Sequence, residues 1–332
     1  MRIFFILFLF FIPVSLITDE IAYNKEDISH FEKSCNEDNR DDCYKLGTMY
    51  YYGEVAPLDY RKAALFYKKA CDGGMGDGCY GLAELYYKGR GTAKNVNKAA
   101  SLFQKACVAE CFKGCSMMGL LHQKGEGVPK DDKMAGMFFK KACENSEREG
   151  CYSLGNMYFE GAGLPDKDYA RALIAFERAC NSGLWDACHK LGKMYGEGTG
   201  VLVDYKKAAA FFEMVCDSGD ISVCVTAGSF FGKGTDNPAN HTKAIKLFTK
   251  ACEAGNAEGC CILGECFEDG TGVSVDYTKA AIYYKKACDG EHVKGCLNLG
   301  LLYAYGEGVS VDEEDPPPLL HQPRHPHHKH II

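Results

Sequence analysis

Residues 43–78 read CYKLGTMYYYGEVAPLDYRKAALFYKKACDGGMGDG, and the same plan returns along the chain every 36 residues, with a single step of 37 between Cys143 and Cys180. The first half places Leu46, Met49 and Tyr50 at i, i+3 and i+4, the spacing of an apolar helix face. Gly53 then supplies the left-handed residue that ends such a helix. The second half opens on Asp59, a good N-cap, and runs through Ala63, Ala64, Phe66, Tyr67 and Ala70. Lys68 and Lys69 fall in its last turn, where cations favour the helix dipole. Two helices with short loops make one α/α hairpin, and stacked hairpins make an array in which each unit touches its neighbours.

The marks recur with the period. The helix-ending glycine returns as Gly89, Gly125, Gly161, Gly198, Gly234, Gly270 and Gly306. The cap returns as Asn95, Asp131, Asp168, Asp204, Asn240 and Asp276. No segment alternates with period two, so the expected fold is all-α, an α/α superhelical solenoid. Each unit also carries two cysteines eight positions apart: Cys35/Cys43, Cys71/Cys79, Cys107/Cys115, Cys143/Cys151, Cys180/Cys188, Cys216/Cys224, Cys252/Cys260 and Cys288/Cys296. Sixteen periodic cysteines fit disulfides formed in an oxidising compartment. Cys71 ends one helix and Cys79 starts the next, so a short reversal can bring their Cα atoms within the ~4.4–6.8 Å that a disulfide needs. Each closure removes roughly 2.5 kcal/mol of denatured-chain entropy on the chain-entropy account. Structural zinc sites use closer cysteine spacing, and no metal or other cofactor is expected. Cys111, Cys261 and Cys266 are left over. Cys266 stands where other repeats place Met49, Leu85 or Met157 and reads as a small buried hydrophobe, while Cys111 could compete for either partner of its loop.

The amino terminus sets the compartment. Met1-Arg2 precedes an apolar run from Ile3 to Ile17, the form of a secretory signal peptide over residues 1–18 with cleavage between 18 and 22. Such a run rises only about 23 Å as a helix, short of the ~30 Å hydrocarbon core. No second hydrophobic span follows, so no stable membrane span is expected after cleavage, and the location is secreted or periplasmic. A net charge of −7, with lysines spread through the repeats, argues against nucleic acid. The organisation expected is a half-repeat cap at 24–42, seven repeats over 43–295 and a partial eighth at 296–312. At Asp312 a lysine–alanine helix should follow, but the chain reads DEEDPPPLLHQPRHPHHKHII. Residues 313–332 are therefore read as a disordered Pro/His-rich tail of no function.

The residues at this point carry a resemblance. Leu191-Gly192-Lys193-Met194-Tyr195-Gly196-Glu197-Gly198-Thr199-Gly200-Val201, then Asp204-Tyr205-Lys206-Lys207-Ala208, resembles the Sel1-like repeat, a relative of the tetratricopeptide repeat. The cysteine pair of every unit behind a signal sequence is similar to the Helicobacter cysteine-rich protein family, over roughly residues 28–312. That resemblance implies two activities. One is protein or peptide binding in a concave groove, with a host-interaction role. The alternative is a weak penicillin-binding protein or β-lactamase acting on β-lactams or related cell-wall compounds. Serine β-lactamases place lysine three residues after the nucleophile, and no serine here has that spacing; Ser101 and Ser229 have lysine four later. Lys233-Gly234-Thr235 is not the required triplet either. No catalytic residue can be assigned.

The binding reading commits to a surface on a monomer. On the first helix of a unit, Tyr44, Thr48 and Tyr51 fall opposite the core positions, spaced i, i+4 and i+7. The matching residues are Tyr80, Glu84 and Tyr87, then Tyr152, Asn156 and Phe159. This stripe faces either the neighbouring repeats or a peptide.

Overall fold

The structure, a computed structural model, describes residues 25–163, 165–232 and 238–308. The leader, Gly234, Asp312 and the Pro/His segment lie outside the described residues. Helix α1 (Lys25–Asn36) precedes seven hairpins. They pair α2 (Arg40–Tyr52) with α3 (Tyr60–Asp72), α4 (Gly76–Lys88) with α5 (Val96–Val108), and α6 (Phe112–Lys124) with α7 (Asp132–Glu144). Then come α8 (Arg148–Glu160) with α9 (Tyr169–Asn181), α10 (Trp185–Glu197) with α11 (Tyr205–Asp217), α12 (Ser222–Gly232) with α13 (Pro238–Glu253), and α14 (Ala257–Asp269) with α15 (Tyr277–Asp289). α16 (Val293–Tyr305) opens an eighth unit. Among the described residues every regular element is helical. Contacts divide the chain into two compact units, one reaching Gly114 and including Glu126–Val128, the other comprising Cys115–Gly125 and the chain from Pro129 onward. Even periodicity does not announce such a division, because each repeat depends only on its neighbours.

Helix ends follow the local chemistry. The Asp59 carboxylate accepts from Arg61 N and Lys62 N, and Asp131 accepts from Lys133 N and Met134 N in the same way. Asn95, Asp168, Asp204 and Asp276 cap their helices likewise. Asn240 departs from this plan. It lies inside the first turn of α13, which begins at Pro238. Proline suits the first helical position because its missing N–H has no helical partner there, so this helix starts earlier than its counterparts.

The hairpin is held by a ring on a glycine. A Cβ built on Gly47, Gly119, Gly155, Gly192, Gly228 or Gly264 would come within 3.0 Å of the ring of Tyr67, Phe139, Phe176, Phe212, Phe248 or Tyr284 respectively. Each ring belongs to the second helix of the same repeat and is buried. Ala83, itself fully buried, occupies the corresponding place in the second repeat. A different glycine joins successive repeats. Gly91 and Gly200 hold φ of 67° and 74°, and a Cβ on either would meet Tyr60 or Tyr169 at the start of the preceding second helix. These positions need both the left-handed backbone and the missing side chain.

Disulfides tie each hairpin to the helix that follows it. Cys71–Cys79 links α3 to α4, Cys143–Cys151 links α7 to α8, and Cys180–Cys188 links α9 to α10. Cys216–Cys224, Cys252–Cys260 and Cys288–Cys296 do the same for α11 with α12, α13 with α14, and α15 with α16. Cys35–Cys43 attaches α1 to α2, and Cys107 and Cys115 are also disulfide-bonded. The sequence reading placed the second cysteine at the start of its helix, and the structure moves it inward by most of a turn. Cys151, Cys188 and Cys260 are the fourth residues of α8, α10 and α14, and Cys224 is the third of α12. All four are buried, so their bridges are part of the core, whereas Cys288–Cys296 is only half-buried.

The residue before the second cysteine sets the helix separation. Where it is Gly78, Gly150, Gly259 or Gly295, the bridged Cα atoms lie 4.4, 4.3, 4.5 and 4.5 Å apart. Where it is Asp42, Ala187 or Val223, they lie 4.8, 4.9 and 4.9 Å apart. The cause is contact: a Cβ on Gly150 would stand 2.5 Å from the Cβ of Ala142 on the facing helix.

Replacing Gly192 by valine should displace the Phe212 ring. Urea unfolding is expected to show a loss of about 1–3 kcal/mol, although valine is the better helix former. Unchanged stability would mean that the ring has room to move.

Candidate functional site

Glycine under a ring leaves space on both sides of that ring, and aromatic residues fill it. In the first repeat the Tyr44 and Tyr51 rings lie 5.8 and 6.3 Å from the Tyr67 ring, centroid to centroid. Tyr51 also meets the Tyr60 ring edge-on at 5.5 Å. Between them the Tyr67 hydroxyl donates to Thr48 Oγ1 at 3.4 Å. In the second repeat Tyr80 and Tyr87 flank Phe103 at 5.5 and 6.4 Å. Glu84 pairs with Lys88 at 2.7 Å, and the Tyr87 hydroxyl donates to Glu126 at 2.8 Å. In the fourth, Tyr152 and Phe159 flank Phe176 at 5.7 and 6.4 Å, and Lys190 Nζ lies 4.3 Å from the Phe159 ring centre.

This geometry corrects the sequence expectation. The nine stripe residues do not face away from the core; each is half-buried, and the six aromatic ones lie beside the central ring of their own hairpin. Each ring keeps part of its surface exposed, although Lys190 already lies over Phe159. Burial pushes the Tyr67 hydroxyl pKa well up, and burial followed by the Asp77 carboxylate pushes Tyr44 up. The Tyr87 hydrogen bond to Glu126, then burial, raises Tyr87. All three therefore stay neutral donors at physiological pH.

The stripe changes chemistry in later repeats. Gly196 stands at the Tyr51 position, and the ring of Phe230 from the next repeat fills its place, stacking 5.4 Å from Phe212. In the seventh repeat the matching residues are Cys261, Glu265 and Glu268. Glu265 pairs with Lys294 at 2.6 Å, and Glu268 accepts from the Tyr284 hydroxyl at 2.6 Å.

A second aromatic column was missed by sequence reasoning. Tyr50 carries Lys62 at 4.8 Å, Tyr86 carries Lys98 at 4.2 Å, and Tyr195 carries Lys207 at 4.8 Å, all measured to the ring centre. Phe231 and Phe267 hold Lys243 and Lys279 in the same way. Lys62, Lys98, Lys207 and Lys279 lie in the first turn of the second helix and Lys243 in the second turn of the longer α13, and each clamps that helix to the first, a contact worth about 0.5–1 kcal/mol when exposed. The signal was present: it is the lysine of the recurring D-Y-x-K-A.

With this plan in place, the comparisons are direct. The Sel1 repeat family model matches residues 41–75, 76–107, 113–147, 148–184, 185–220, 227–256, 257–292 and 293–315. The chain belongs to the Sel1 repeat family. It is similar to a Sel1 repeat protein from Oxalobacter formigenes, with 25% identity, a TM-score of 0.57, and coverage of 69% of this chain and 99% of that one. It is also similar to Helicobacter pylori cysteine rich protein B, with 32% identity over 40% of this chain and 93% of that one, at a TM-score of 0.33. No curated protein sequence matches it. Sel1 repeats are generally protein-interaction scaffolds. No described helix is long and apolar enough to cross a membrane.

The three unpaired thiols of this Sel1 array are all buried. Burial, with Asp77 next to Cys111 and Glu265 next to Cys261, pushes both pKa values up to about 12. Burial does the same for Cys266, again to about 12. The Cys111 thiol lies 3.2 Å from Asp77 Oδ1, and both cysteines of its surrounding loop are disulfide-bonded, so it does not displace either. Neutral thiols are poor nucleophiles. Native alkylation at neutral pH should leave all three unmodified, whereas alkylation after denaturation without reductant should add three groups. Rapid native labelling would show that these sites open.

One carboxyl is also displaced. Glu147 caps α8, accepting from Gly150 N at 2.6 Å and from the Ser116 hydroxyl. Burial raises its pKa to about 7. The folded state therefore holds this proton more tightly than the unfolded chain, whose value is 4.5. The resulting stability is fully present below the unfolded value and is lost as pH rises through about 7. Glu147→Gln should flatten the fall in melting temperature across that window. A parallel curve for the variant would remove Glu147 as its cause.

Proposed function

We propose that this chain works outside the reducing cytoplasm, secreted or periplasmic, as a module that binds an extended protein segment on its ring-lined faces. One observation carries the reading: half-exposed aromatic side chains stand at fixed positions, braced by the central ring of each hairpin. Tyr44, Thr48, Tyr51, Tyr80, Glu84 and Tyr87 form such a face in the first compact unit. Tyr152, Asn156 and Phe159 form another in the second. Aromatic anchors held in place lose little side-chain entropy on binding, and tyrosine offers both apolar area and a hydroxyl. The neutral Tyr44 hydroxyl suits hydrogen bonding to a bound main chain, whereas Tyr87 already donates to Glu126. The disulfides support the compartment, since such bonds persist where thiols are oxidised.

Peptides selected from a displayed library on the oxidised protein provide the test. Tyr51→Ala, Tyr87→Ala and Phe159→Ala together should weaken a selected peptide at least about tenfold, or about 1.4 kcal/mol. Helicity by circular dichroism and the disulfide count should remain unchanged. Undiminished affinity in that variant would move binding to another surface.

A further inference from the structure

The fourth hairpin lacks a ring that others carry. In four hairpins a ring of the second helix lies nearly parallel to a ring of the first: Phe66 on Tyr50, Phe138 on His122, Phe211 on Tyr195 and Tyr283 on Phe267. Their centroids are 5.5–5.8 Å apart. These second-helix residues stand five positions before the cysteine of their helix. In the second and sixth hairpins that place belongs to the buried Leu102 and Leu247. The fourth hairpin has Ala175 there. Its first-helix ring is Tyr158, which meets the Arg171 guanidinium at 5.7 Å and no other ring among the described residues.

The missing side chain leaves a cavity. It measures about 160 Å³ and is lined at α8 and α9 by Leu154, Tyr158, Ile174 and Ala175. An apolar protein cavity of roughly 150 Å³ holds a benzene molecule, so one ring fits. α7, α8 and α9, which border it, belong to one compact unit.

The rim is basic. Lys140, Arg171 and Arg178 border the cavity with one acid, Glu144. Lys140 pairs with Glu144 at 3.7 Å, and Arg171 pairs with Asp168 at 3.3 Å. Arg178 has no side-chain partner among the described residues. Lys69 and Lys250, at the same place in α3 and α13, each reach back 2.8 Å to Asn36 and Asp217. Past Arg178 a second cavity of about 340 Å³ continues along Ser146, Asn181 and Ser182. A guanidinium matches the planar fork of a carboxylate, and hydroxyl and amide groups suit a peptide main chain.

We propose that this cavity binds a partner polypeptide that places a phenylalanine ring on Tyr158 and a neighbouring carboxylate on Arg178. The partner's ring supplies the stack that Ala175 does not, and its main chain runs on past Asn181 and Ser182. Tyr152 and Phe159 pack on Phe176 instead, so this site does not depend on the ring-lined faces above.

Calorimetric titration of the oxidised full chain with the blocked peptide acetyl-Gly-Phe-Asp-Gly-amide is the test. Saturable binding is expected. Alanine for phenylalanine, or asparagine for aspartate, in the peptide should weaken it at least about tenfold (about 1.4 kcal/mol). Arg178→Gln, a change at an exposed residue, should weaken it as much and melt like the parent. Ala175→Phe restores the ring of the other hairpins and should abolish binding while melting at or above the parent. Phe159→Ala should bind the peptide like the parent, whatever becomes of the ring-lined face. No saturable binding, undiminished binding by Arg178→Gln or Ala175→Phe, or loss of binding in Phe159→Ala would overturn the proposal. So would a lower melting temperature for Ala175→Phe, since the cavity would then have no room for a ring.

Discussion

The structure depends on one close contact, an aromatic ring lying against a glycine of the facing helix. Gly192 under Phe212 and Gly264 under Tyr284 are the same arrangement two repeats apart. The missing side chain lets one large residue reach across the hairpin and fill a core otherwise lined by alanine. A repeat this small buries too little apolar surface to be stable alone, so stacking must extend the core. The second glycine of each G-x-G permits that stacking, because the loop must press against the start of the preceding second helix.

The disulfides follow from the same economy of volume. Alanine and glycine bring the two helix ends close, and the cysteines then join across a short reversal, from one hairpin to the next. The bridged Cα separation responds to a single methyl group, from 4.3 Å in Cys143–Cys151 beside Gly150 to 4.9 Å in Cys180–Cys188 beside Ala187. Each bridge limits the freedom of the unfolded chain, and together they strengthen an array whose core is thin.

The aromatics of the first helices are divided between two tasks. The column of Tyr50, Tyr86 and Tyr195 carries lysines on its outer faces and clamps the hairpin. The residues around Tyr67, Phe103 and Phe176 brace the central ring from either side and stay half-exposed, with Lys190 over Phe159. Both sets follow the same repeat, so periodicity alone does not separate a clamp from a binding anchor. The distinction lies in whether a ring packs on the central ring of the hairpin or carries the first-turn lysine.

The sequence by itself determined the helices, their glycine and aspartate ends, the cysteine pairing and the family, because these depend on residues close together along the chain. It also marked where the pattern fails, at Pro316. Only the tertiary structure decided that Tyr51 lies beside Tyr67 rather than away from the core, since helical spacing gives an angle about one axis and not the neighbour that occupies it. The same holds for Phe230, which crosses into the preceding repeat to replace the ring missing at Gly196. Contacts across helices depend on two surfaces meeting, and one strand of sequence specifies them only through the packing of the whole.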